Sequence, residues 1–125
     1  MNPGLPEEAR SVLQELQGHP KAKAVVLFGS WARGEVTPLS DVDLAVIMEN
    51  PTPADEAEVG SLYSPKVDVV LFHRLPLPAR FAVLKEGREL FVRDRSFYDE
   101  VRLRTIRDYL EMAHLYEAIA QEVLG

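Results

Sequence analysis

The chain contains no cysteine, which excludes disulfides, thiolate metal centres and a cysteine nucleophile together. Its three histidines, His19, His73 and His114, stand far apart with no paired ligand spacing, and each reads as a surface or loop residue rather than a zinc ligand. No apolar run approaches the ~18 residues needed to cross a bilayer. The N-terminal Met-Asn-Pro-Gly-Leu-Pro-Glu-Glu lacks the basic start and apolar stretch of a signal peptide, so a cytoplasmic location is expected. Basic residues are in the minority, 14 Lys and Arg against 20 Asp and Glu. A net charge of −6 offers little to replace the counterions around nucleic acid, so tight binding to DNA or RNA is not expected.

What is present fits one soluble domain: 125 residues, 46% hydrophobic and 27% charged, long enough to bury a single core. Residues 7–17 place Ala9, Val12, Leu13 and Leu16 at helical spacing behind an acidic first turn. Gly18-His19-Pro20 breaks that helix, and residues 24–28 form a short β-branched-rich run typical of a buried strand. Trp31 to Gly34 reads as one helical turn. Residues 41–48 open with polar alternation and turn wholly apolar, which predicts a central strand whose first end reaches solvent. Residues 50–56 read as a turn-rich acidic connector, and residues 67–72 as a third, buried strand broken by one charge. A short helix over 77–86 entered through Pro78, a small strand or edge segment over 89–92, and a long last helix capped by Ser96 complete the pattern. Val101, Ile106, Tyr109, Leu110, Ala113, Tyr116, Ile119, Ala120 and Val123 trace an apolar stripe along that last helix. At nearly thirty residues it spans about 40 Å, so part of the stripe is expected to remain exposed.

Chemistry concentrates between residues 29 and 68. Side chains alternate along a strand, so Asp41 and Asp43 point the same way, about 7 Å apart, and can share metal ions. Magnesium takes oxygen ligands and keeps waters and substrate phosphates in its shell, so a few carboxylates facing a triphosphate suffice. Asp68, isolated in an apolar strand, supplies a third carboxylate if its strand runs beside the pair. Gly29-Ser30 follows a strand and precedes a helical turn, leaving backbone N–H groups and a hydroxyl to hold phosphate oxygens. Arg33 lies one turn on, within reach of the same anion. Each piece alone has a plainer explanation: Gly-Ser as a turn, Asp-x-Asp as a solvated strand end, Asp68 as a charge guarding an edge strand. The ordered combination is what carries the reading.

Read as GSWARGEVTPLSDVDLAV, that combination resembles the signature of the minimal nucleotidyltransferases, small members of the DNA polymerase β-like superfamily. The resemblance spans residues 1–93. It implies an α+β fold, a small mixed β-sheet flanked by helices, with a nucleotidyltransferase core over 1–95. The long C-terminal helix, 96–125, belongs to the same domain and resembles the tail by which such proteins meet partners. It further implies catalytic, metal-holding roles for Asp41, Asp43 and Asp68, with Gly29, Ser30, Arg33 and Ser40 binding nucleotide; the plainer role for Ser40 is a turn-stabilising hydroxyl. The activity implied is Mg2+-dependent transfer of AMP from ATP, with two ions expected, onto a hydroxyl acceptor, a tyrosine of a HEPN toxin partner. The chain would then be the antitoxin of a toxin–antitoxin pair. A partner-binding antitoxin without catalysis and a small-molecule, antibiotic-type nucleotidyltransferase are the alternatives, and a homodimer through the last helix is a further expectation.

Overall fold

A computed structural model describes residues 4–125, so the first three residues of the N-terminal stretch lie outside the description. Two apolar strands form its centre: β1 (Ala22–Phe28) and β2 (Val42–Met48) pair antiparallel, with Val25 opposite Val46 and Phe28 opposite Asp43. Both are almost wholly buried because both their faces are covered. β3 (Val67–Leu71) adds to β2 in parallel, and β4 (Arg88–Val92) adds to β1 antiparallel, giving a mixed sheet in the order β3-β2-β1-β4.

Alternation sends alternate strand residues to two separate cores. Val25, Leu27, Val42, Leu44 and Val46 pack beneath α1 (Glu7–Gln17), which contributes Ala9, Val12, Leu13 and Leu16 as its spacing predicts. The short α2 (Ser30–Arg33) is seated on this side by Ala32, with Trp31 packed alongside. Ala24, Val26, Ala45 and Ile47 face the other way, towards Val83 of α4 (Leu77–Glu86) and Tyr98 of α5 (Arg95–Leu124). The result is a sheet between two helical layers. Among the described residues no helix is long and apolar enough to cross a membrane.

Three expectations are corrected. The acidic connector is in part a helix, α3 (Pro53–Gly60), because Thr52 and Asp55 exchange reciprocal cap hydrogen bonds and Pro53 opens the first turn. The third strand is an edge strand, not a buried one, and Asp68 is exposed on it, since only β2 pairs with β3. The last helix starts one residue before Ser96: Asp94 is its cap, accepting from the Phe97 N–H at 3.0 Å, and its charge suits the helix N-terminus better than a serine.

No glycine or proline occurs between residues 89 and 124, so nothing stops α5 for 30 residues, about 45 Å. Its first half is anchored by buried Tyr98, by Thr105, whose hydroxyl donates back to the Val101 carbonyl, and by Tyr109, stacked on Phe81 at 4.0 Å. Beyond Met112 every residue is exposed, Tyr116, Ile119 and Val123 included.

Candidate active site

The register of the sheet assembles the site. Asp43 lies directly opposite Asp68 on the parallel side and opposite Phe28 on the antiparallel side, and β1 ends one residue before Gly29. Asp41, Asp43 and Asp68 share the parity that faces α4. Gly29 has φ of +74°, and a Cβ there would stand 2.3 Å from Asp43 Oδ2. Only glycine fits so close to the carboxylate at that backbone angle. Gly34 closes the one-turn helix in the left-handed region, as the Ala-Arg-Gly pattern anticipates.

The electrostatics follow from this crowding. Burial pushes the Asp43 carboxyl above its ordinary range, and the Asp68 and Asp41 carboxylates push it further, while Arg33 opposes them. The three acids have no ion-pair partner among the described residues. Like charges gathered on one face, beside a turn that cannot carry a side chain, fit a divalent cation and a phosphate chain.

The family model for polymerase beta nucleotidyltransferases matches residues 10–96. The chain belongs to that family. No curated protein matches it. Solved structures share the fold of this nucleotidyltransferase over nearly its full length. A toxin–antitoxin structure with AMP-PNP is 22% identical, with 96% of this chain and 100% of that chain covered and a TM-score of 0.72. The tri-AMPylated Shewanella oneidensis HEPN toxin in complex with MNT antitoxin matches at 20% identity, 94% and 97% coverage and a TM-score of 0.65. The toxin–antitoxin MntA-HepT matches at 19% identity, 94% and 97% coverage and a TM-score of 0.63.

Around this nucleotidyltransferase centre the remaining residues divide. Arg33 is engaged by carboxylates: its Nε donates to Glu35 at 2.8 Å, and a terminal nitrogen lies 3.6 Å from Glu86. Glu35 stands two residues away in sequence, but Glu86 carried no sequence signal, because only the return of α4 over the sheet brings it there. Ser40 Oγ accepts from the Thr37 N–H at 2.9 Å, which is the turn-stabilising role. A cavity of about 300 Å³ opens beside Gly29 and Arg33, walled by Phe28, Leu75, Ala79, Val83 and Glu86. These apolar walls were not legible in the sequence either, since they come from three separate segments.

His19 is a loop residue, as expected, but one whose side chain is only 9% exposed, with Nε2 at 3.3 Å from Glu58 and 3.7 Å from Asp55. These three are a group whose ligand atoms lie within 4.8 Å of one another. His19 precedes β1 at the end away from Gly29, and seven residues of strand put about 20 Å between the groups. The backbone N–H of Lys21 donates to His19 Nδ1 at 3.1 Å, so the neutral ring carries its proton on Nε2, the nitrogen that faces the two carboxylates. A cation on Nε2 would have to displace that proton. The group is an electrostatic clamp between the turn before β1 and α3. His73 pairs with Glu56, and His114 is exposed on α5.

Proposed function

We propose that this nucleotidyltransferase moves AMP from ATP onto a hydroxyl, and that the hydroxyl belongs to a tyrosine of a HEPN-domain toxin, making the chain the antitoxin of the pair. One observation carries the reading: Asp41, Asp43 and Asp68 share a face at the sheet end where Gly29 abuts Asp43. The partner class rests on likeness, since an MNT antitoxin of the same fold is held with an AMPylated HEPN toxin. A cytoplasmic setting, where ATP is at hand, suits it.

Asp41, Asp43 and Asp68 would hold Mg2+, two ions in the reading given above. When bound, the metal neutralises phosphate charge and lowers the pKa of an attacking oxygen. Gly29 and Ser30 receive the phosphate chain at the start of α2. Arg33 exchanges Glu35 and Glu86 for phosphate oxygens, a swap of one charge-assisted partner for another. The acceptor approaches from the β3 edge, where Asp68 is exposed and takes the hydroxyl proton. The acceptor oxygen bonds to the α-phosphorus as the bond to the bridging oxygen breaks, and pyrophosphate leaves. The apolar cavity beside Gly29 offers the nucleoside a wall and lies within the size range of small-ligand sites. Intact carboxylates favour this over a purely partner-binding antitoxin.

Purified protein, labelled ATP, Mg2+ and a HEPN-domain protein offered as acceptor provide the test. Label should pass to the partner's tyrosine, and Asp41→Asn with Asp43→Asn should slow transfer at least about a thousand-fold. Transfer unchanged in that variant would overturn the site. Label on a small molecule but not on the partner would overturn the acceptor.

A further inference from the structure

The cavity beside Gly29 is walled mostly by carbon. Phe28, Leu75, Ala79, Ala82 and Val83 bring no hydrogen-bonding side chain to it, and Arg33 can only donate, which leaves Glu86 as the one side-chain acceptor among its lining residues. Ala79, Ala82 and Glu86 recur at helical spacing and so share one face of α4. The two alanines leave room. Glu86 ends the row beside Arg33, 3.6 Å from a guanidinium nitrogen.

Backbone packing fixes that place. Gly87 donates its N–H to the Val83 carbonyl at 2.8 Å, and a Cβ on Gly87 would overlap that carbonyl and the Val26 side chain. With no side chain there, the end of α4 lies directly on β1, and the next residue, Arg88, pairs with Leu27, two residues before Gly29. The Glu86 backbone is thereby held over the same strand end as the glycine turn.

On the reading that this chain transfers AMP, we infer that Glu86 reads the sugar: its carboxylate accepts hydrogen bonds from the 2′- and 3′-hydroxyls of the bound nucleotide, and the site selects ribonucleotides over deoxyribonucleotides. When Arg33 turns to the phosphate chain, Glu86 loses its cation and faces the nucleoside alone. A carboxylate left beside a triphosphate needs donors to cover it. A nucleotide brings two kinds, hydroxyls on the sugar and amines on the base. The sugar adjoins the phosphates and the base lies beyond it, so the acid that neighbours the phosphate-holding arginine meets the diol. An acid on ribose hydroxyls is also how dinucleotide-binding folds hold their sugar.

The test is calorimetry of the full chain with Mg2+ and each of ATP, 2′,3′-dideoxy-ATP and inorganic tripolyphosphate. Wild type should bind ATP at least about ten-fold more tightly than the dideoxy nucleotide, as a hydrogen bond to a partly exposed carboxylate allows. Because this comparison uses wild type alone, it does not depend on how a variant folds. Glu86→Ala should erase the preference, and Glu86→Gln, which keeps an acceptor without the charge, should retain part of it. If Glu86 merely held Arg33, its replacement would shift the binding of tripolyphosphate and both nucleotides together and leave the sugar preference intact. Equal affinity of wild type for ATP and the dideoxy nucleotide, or a preference that survives Glu86→Ala, would overturn the inference and leave the proposed AMP transfer standing. Absence of any binding of ATP and tripolyphosphate would overturn the proposed function, and this inference with it.

Discussion

Two groups of acids sit at opposite ends of the same sheet, and they are built on opposite principles. At the His19 end, Asp55 is held below its ordinary range, chiefly by the Thr52 N–H and also by neighbouring Lys21 and His19. Glu58 and Asp55 both face Nε2 of the His19 ring. At the Gly29 end, Asp43 is pushed above its ordinary range by burial and by two more carboxylates, opposed only by Arg33, and none of the three acids has an ion-pair partner among the described residues. One cluster is complete within the fold and holds the turn before β1 to α3. The other is crowded with like charge as it stands, and on the proposed function a cation from outside would relieve it. The difference separates structure from function better than a count of ligand atoms does, because by that count the His19 group is the tighter one.

The contrast can be broken most sharply at Gly29. Gly29→Ala would drive a methyl onto Asp43 Oδ2 at a positive φ. ATP binding in the presence of Mg2+, measured by calorimetry, should weaken about a hundred-fold or more; an unchanged affinity would mean that the turn does not receive the phosphates. A middling effect is expected at the other end. His19→Ala removes the clamp and should lower stability by about 1 kcal/mol, read as a fall in melting temperature, with the rate of AMP transfer unaltered. Addition of a chelator should leave the wild-type melting temperature where it was, and a chelator-sensitive melt that His19→Ala abolishes would turn the clamp into a metal centre.

The smallest effect concerns Asp43 itself in metal-free protein. Its carboxyl titrates higher in the folded chain than in the unfolded one, so between those two values the folded state holds the extra proton and stability falls as pH rises. Asp43→Asn removes that loss. The variant should therefore melt above the wild type at neutral pH, and the gap should close as pH falls towards about 3.9, the ordinary aspartate value. Mg2+ should raise the melting temperature of the wild type more than that of the variant. A variant that melts below the wild type at neutral pH would contradict the crowding argument.

Much of the molecule follows from one-dimensional pattern. The two central strands are apolar runs with one charge each near an end, Lys23 and Asp43, a pattern that burial of both faces explains, and α1 and α4 match their predicted spans because spacing and proline placement act within a few residues. The Gly-Ser turn and the Asp-x-Asp pair are equally local, so the cradle and two of the acids are legible on sight. Other features depend on partners far away in the chain. Asp68 looks buried in sequence because its neighbours are apolar, yet only strand order decides that β3 has one neighbour and leaves the carboxylate exposed. Arg33 meets Glu86, and His19 meets Asp55 and Glu58, across 53, 36 and 39 residues respectively. No periodicity records such meetings. The sequence by itself determined most of the helices and strands, α3 excepted, and which short motif would carry charge, since those choices turn on backbone preference and burial within a few residues. Tertiary structure alone decided which acids meet a basic partner and which crowd one another, because that depends on what the returning chain sets against each carboxylate.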